Sequence, residues 1–79
     1  NDVQLVLAPN PAKDKVTVYI PGNTSAVSIK IYNAQGQLMK TVFSNEETIP
    51  VTITGFARGV YSVKVIGKNM EVVKKMLVE

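Results

Sequence analysis

An all-β fold of about seven short antiparallel strands, packed as a sandwich, is what this chain predicts, and three observations carry the prediction. Valine, isoleucine and threonine, which favour strands, are abundant, and long helix-forming runs are missing. Apolar residues recur at every second position through most of the chain, the period of a strand with one face buried. Turn-forming clusters break that alternation roughly every eight to twelve residues, the spacing expected of an immunoglobulin-like sandwich.

Taken in order, Val3, Leu5 and Leu7 alternate with Gln4 and Val6 and predict a first strand. Ala8-Pro9-Asn10-Pro11 ends it, because two prolines remove two backbone donors and no sheet ladder runs through them. Asn10 precedes a proline and is pushed to an extended conformation, so the segment is a rigid bend or an edge strand crossing between sheets. Val16, Val18 and Ile20 point inward from the next strand, Lys15 to Ile20, and Pro21 to Ser25 is a loop. Asn23-Thr24-Ser25 within it matches the N-glycosylation pattern, a triplet common by chance.

Val27, Ile29 and Ile31 form the following inward set, with Ser28, Lys30 and Tyr32 outward. Asn33 to Gln37 is a hairpin loop in which Gly36 takes a left-handed position, and Leu38 to Phe43 returns as the partner strand. Ser44-Asn45-Glu46-Glu47 is a solvated loop, since two adjacent acids without further ligands do not make a metal site. Ile49, Val51 and Ile53 mark another strand, and Pro50, which has no N–H, puts it at an edge or a bulge.

The stretch Gly55 to Ile66 centres the domain. Gly59 supplies the positive φ of a tight corner, and Tyr61, Val63 and Val65 then fall on one face. Tyr61 offers a large ring for the core and a hydroxyl that bonds a backbone group at the corner, as tyrosines do in sandwich domains. After a Gly67-Lys68-Asn69 turn, the last strand runs from Met70 to Val78. Every strand before it is expected to have one clearly apolar face. The last does not: Met70, Val72, Lys74, Met76 and Val78 share one face, and Glu71, Val73, Lys75, Leu77 and Glu79 the other. Either the strand is covered from both sides by its own domain, with lysine stems along apolar surface, or it is an edge offered to a partner by strand addition.

Composition bounds the rest. A chain of 79 residues makes one domain, and at this size it buries only about 60% of its unfolded surface, so stability is modest. No signal peptide opens the chain, though a domain cut from a longer precursor would lose one, and no apolar run approaches the roughly 20 residues of a membrane-spanning helix. The net charge is +3, and its lysines are spread along strands without interleaved aromatics, which describes a solvated surface and not a nucleic-acid site. Without histidine or cysteine the usual general base, thiol nucleophile and best transition-metal ligands are missing. The carboxylates lie in loops or at termini, and no glycine-rich loop precedes a helix. The expectation is no enzyme, no catalytic residue, no cofactor and no metal.

Four blocks of sequence go further. They are Pro9-Asn10-Pro11-Ala12 with Asp14 and Val16-Thr17-Val18; Val27 to Asn33 leading to Gly36-Gln37; Gly59-Val60-Tyr61 with Val63 and Val65; and Lys74-Lys75-Met76-Leu77-Val78 at the end. In this order and spacing the chain resembles the C-terminal sorting domain of the type IX secretion system of Bacteroidetes (type A, Por secretion system family). It departs from that pattern at Ala8, where an aromatic is frequent, and at Glu79, where a basic residue is common.

The resemblance implies a secretion and sorting signal attached to an N-terminal cargo protein. It implies folding in the periplasm in transit, passage through the outer-membrane type IX translocon, and removal by a surface sortase that leaves the cargo at the cell surface or secreted. The cleavage point would then lie at or upstream of Asn1. Lys74, Lys75, Met76, Leu77 and Val78 become the candidate partner-recognition residues. Pro9, Asn10, Pro11, Gly36, Gly59 and Tyr61 become the structural motif that presents them. The same edge would allow dimerisation or strand swapping. Two other readings stand beside this one. An accessory carbohydrate- or protein-binding module of a surface enzyme would show a planar row of exposed aromatics, for which Tyr19 and Tyr32 are the available pair, or a cluster of metal ligands. A structural spacer would have its final strand fully covered.

Overall fold

The two-residue alternation is realised as seven strands in two sheets, in a computed structural model that describes residues 4–79. Strands β1 (Val6–Ala8), β2 (Lys15–Tyr19) and β5 (Thr48–Thr52) form one sheet in the order β1-β2-β5. The other contains β3 (Val27–Tyr32), β4 (Leu38–Ser44), β6 (Gly59–Gly67) and β7 (Met70–Val78), in the order β4-β3-β6-β7. Every pairing within the sheets is antiparallel. This is an immunoglobulin-like sandwich in which β4 pairs with β3 and not with β5, so the sheets hold three and four strands.

The inward sets meet as expected. Val16, Val18 and Ile20 with Ile49, Val51 and Ile53 face Val27, Ile29, Ile31, Tyr61, Val63 and Val65, and all are buried. Among the described residues no polar or charged side chain is buried. Full burial of a valine- or isoleucine-sized side chain stabilises by about 1.5–3 kcal/mol, so this apolar layer is the main force holding the sheets together.

β1 is shorter than the alternation suggests: Leu5 is buried but precedes the strand, and Val3 lies outside the described residues. Pro50 sits on β5, an edge strand, opposite Thr17. The Asn33–Gln37 loop is held by Asn33, whose Oδ1 accepts the backbone N–H groups of Gln35 and Gln37, with Gly36 at φ 84°. In the 44–47 loop, the Glu47 carboxylate accepts from the Gly22 N–H at 2.7 Å and the Tyr19 hydroxyl at 3.3 Å.

One expectation fails. The last strand is not alone in lacking a clean apolar face, because no residue of β4 is fully buried and Phe43 is 77% exposed. The physical reason is position. β4 is the other edge of the four-stranded sheet, which the opposing three-stranded sheet covers only in part: Val42 packs against the core, and the Lys40 Nζ donates to the Thr52 carbonyl at 2.6 Å.

The final strand as candidate recognition site

The Pro9–Ala12 segment takes the chain from β1, at the edge of one sheet, to β7, at the edge of the other. Both prolines follow cis peptide bonds. Prolines have no N–H to offer β7, and the residues around them supply the bonds instead. The Asn10 Oδ1 accepts the Leu77 N–H at 3.0 Å, and its Nδ2 donates to the Lys75 carbonyl at 3.3 Å. An amide side chain carries one acceptor and donors, as a peptide group does, so Asn10 stands in for a strand residue. Ala12, fully buried, continues the pairing through its backbone: its N–H donates to the Leu77 carbonyl at 2.8 Å and its carbonyl accepts the Glu79 N–H at 2.9 Å. Ala12 and Val78 form an isolated parallel bridge. The segment is therefore a bend, the first of the two expectations for it, and it crosses from one sheet to the other with a single bridge to β7 at Ala12.

The bonds at Leu77 set the pattern for the whole edge. In an antiparallel ladder a residue turns both backbone groups to the same neighbour, and this alternates along the strand. Glu71, Val73 and Lys75 thus face the same open side as Leu77. The C-terminal part of that edge is filled by Asn10 and Ala12. Among the described residues nothing pairs with the outward backbone groups of Glu71 and Val73.

The side chains of the candidate segment divide by face. Met76 and Val78 are buried in the core, at 0% and 2% exposure, and anchor the strand. Lys74 shares their face but lies where the sheets part, beside Leu5, Val6, Leu7 and Asn10, and remains exposed. Lys75 and Leu77 stand exposed on the outer face, as does Val73. The strand is thus neither covered on both sides nor wholly free.

The register places neighbours on that outer face. Leu77 lies opposite Val60, Lys75 opposite Ser62 and Val73 opposite Lys64; Phe43, on β4, lies opposite Ser28. Glu71 pairs with Lys64 at 3.0 Å, and the hydrogen bond that the Lys64 ammonium donates to this carboxylate, aided by the carboxylate's charge, holds Lys64 above the usual lysine pKa.

The corner residues do their work at a distance from β7's open edge. The Tyr61 hydroxyl donates to the Ala57 carbonyl at 2.7 Å, and its ring packs on Phe56 at a centroid separation of 5.3 Å. This is the tyrosine corner of sandwich domains, at the connection into β6. Gly59 opens β6 with φ 152°. Tyr19 and Tyr32 project outward from different sheets and form no aromatic row.

Sequence reasoning missed the contact between the Pro9–Ala12 segment and β7, and with it the part played by Ala12. The available signal was an amide-bearing residue between two prolines, the one side chain there able to replace the missing donors. Its partner, at the far end of the chain, is invisible to local pattern.

The chain matches the family described as "Secretion system C-terminal sorting domain" over residues 6–79. It is also similar to Beta-agarase A of Zobellia galactanivorans, at 36% identity over 67 residues. That alignment covers 85% of this chain and 12% of the relative, so the chain spans about an eighth of that protein's length.

Proposed function

Because the chain belongs to the family of secretion system C-terminal sorting domains, it is a sorting-signal domain of type IX secretion, and we propose that the machinery reads its final strand, Lys74 to Val78. The observation carrying this reading is the split of that strand between core and surface. Met76 and Val78 fix its position, while Lys74, Lys75 and Leu77 remain within reach of a partner. Charge complementarity at the lysines would guide the encounter, and Leu77 would add apolar contact.

The domain travels with an N-terminal cargo, passes through the periplasm and reaches the cell surface or the medium, where a sortase removes it. Its own role is recognition and not catalysis. Support for a cargo comes from the likeness to a short part of a much longer protein, Beta-agarase A, and an exported enzyme is the cargo class this favours.

The test is a secretion assay with the domain fused to an inert fluorescent protein that carries an export signal, in a bacterium with the type IX system. Truncating the last strand would remove Met76 and Val78 from the core and confuse unfolding with loss of the signal. Surface substitutions avoid this: Lys74→Glu, Lys75→Glu and Leu77→Ser together should leave the circular dichroism spectrum unchanged and hold the fusion inside the cell. Export of the folded triple variant at the normal level would sink the reading.

A further inference from the structure

A half-open cleft of about 460 Å³ lies at the end of the sandwich where β6 begins, between the Asn33–Gln37 loop and the loop from β5 into β6. None of the candidate recognition residues on β7 lines it, so it is a site apart from the final strand. Much of its lining is apolar: Phe56 and Tyr61 pack together, and Met39 and Val60 are 44% and 48% exposed. One charge lines it, the guanidinium of Arg58, the only arginine in a chain with eight lysines. No carboxylate lines the cleft, and among the described residues Arg58 forms no ion pair.

Both bordering loops are pinned from within. The Asn33 Oδ1 holds one through the Gln35 and Gln37 N–H groups. In the other, the Tyr61 hydroxyl donates to the Ala57 carbonyl and the Phe56 N–H to the Ile53 carbonyl. The cleft is therefore preformed, and a ligand does not have to order it. We propose that it binds the C-terminal end of an extended peptide whose last residue is bulky and apolar. A guanidinium meets a carboxylate with two parallel N–H donors, a fit that an ammonium does not offer. Arg58 stands two positions from both Phe56 and Val60, so the carboxylate and the apolar group it takes must lie close together in the ligand. At a chain end both hang from one Cα. An internal aspartate or glutamate puts its carboxylate on the very side chain that would have to fill the apolar part. The open side of the cleft gives the rest of the peptide a way out to solvent.

An NMR titration of the isotope-labelled 79-residue chain with acetyl-Gly-Gly-Phe tests this. The amides of Gln35, Met39, Arg58 and Val60 should shift together, with a Kd of about 1 mM, the weak end of the affinity scale suited to so short a ligand. The same peptide capped as its C-terminal amide lacks the charge and should bind at least about tenfold more weakly. Acetyl-Gly-Gly-Gly keeps the carboxylate, lacks the ring and should also bind more weakly. Arg58→Gln changes an exposed side chain and should leave the circular dichroism spectrum unchanged. It should weaken the acid peptide about tenfold and leave the amide peptide unaffected, while Arg58→Lys, which keeps the charge without the fork, should fall between. The proposal is overturned if no amide of the cleft shifts, if the acid and amide peptides bind alike, or if Arg58→Gln binds the acid peptide as the wild type does. Equal affinity for 3-phenylpropionate, which offers the same ring and charge without a peptide, would also overturn it, by making the cleft a site for small apolar acids.

Discussion

Asn10 and Leu77 lie near opposite ends of the chain, yet the Asn10 Oδ1 accepts the Leu77 backbone N–H at 3.0 Å. Through this bond and its companion to Lys75, a side chain completes the ladder of an edge strand that prolines cannot complete. The contact links the first and last of the four sequence blocks.

Replacing Asn10 tests that link. Asn10→Ala removes both bonds at a solvent-exposed site, where each contributes about 0.5–1.5 kcal/mol net, and water takes up part of the loss. Urea unfolding should show a destabilisation of about 1 kcal/mol. Amide hydrogen exchange should quicken at Leu77 more than at Val63, in the centre of the sheet. Equal changes at the two amides would mean that Asn10 acts through global stability alone.

The tyrosine corner is open to a gentler change. Tyr61→Phe keeps the buried ring and deletes only the bond to the Ala57 carbonyl. Loss of one partly buried hydrogen bond should lower stability by about 1 kcal/mol, which in a domain this small moves the melting temperature by roughly 4–8 °C. Tyr61→Ala also empties the ring's place in the core and should cost about 3–5 kcal/mol. If both variants melted alike, the hydroxyl and not the ring would be carrying the corner.

Gly59 makes a backbone prediction with no packing component. No atom beyond Gly59 and its two chain neighbours lies within 4 Å of where a Cβ would stand, yet φ is 152°, a value L-residues rarely adopt. Gly59→Ala should therefore destabilise by about 1 kcal/mol or more through strain alone. A neutral or stabilising result in chemical denaturation would show that the corner relaxes.

Neighbouring residues of β7 should respond to the same substitution with losses of very different size. Met76→Ala opens a cavity at a fully buried site and should cost about 2–5 kcal/mol, much of a small domain's stability. Leu77→Ala, at a site 40% exposed, should cost about 1 kcal/mol or less. Denaturation midpoints for the pair distinguish the anchoring face from the presented one.

Much of this was legible in the residues themselves. The two-residue period assigned Val16, Val18, Ile29, Ile31, Ile49, Val51, Val63 and Val65 to the core, because a strand's geometry sends alternate side chains to opposite faces whatever it pairs with. Gly36 and Gly59 marked their corners for an equally local reason, the steric cost of positive φ to any residue with a Cβ. Tyr61 announced its corner by following Gly59 so closely.

Tertiary structure alone decided which strands became edges, and that governs exposure. Leu38, Phe43, Val73 and Leu77 are as apolar as any core residue, but they lie on the two edge strands β4 and β7 and stay exposed among the described residues. It also decided that Met76 and Val78 anchor the final strand while Lys75 and Leu77 face outward, and that Asn10 closes part of that strand's edge. Those outcomes depend on contacts between residues more than sixty positions apart in the chain. Periodicity reports which way a side chain points; only the assembled sheets determine what, if anything, it meets there.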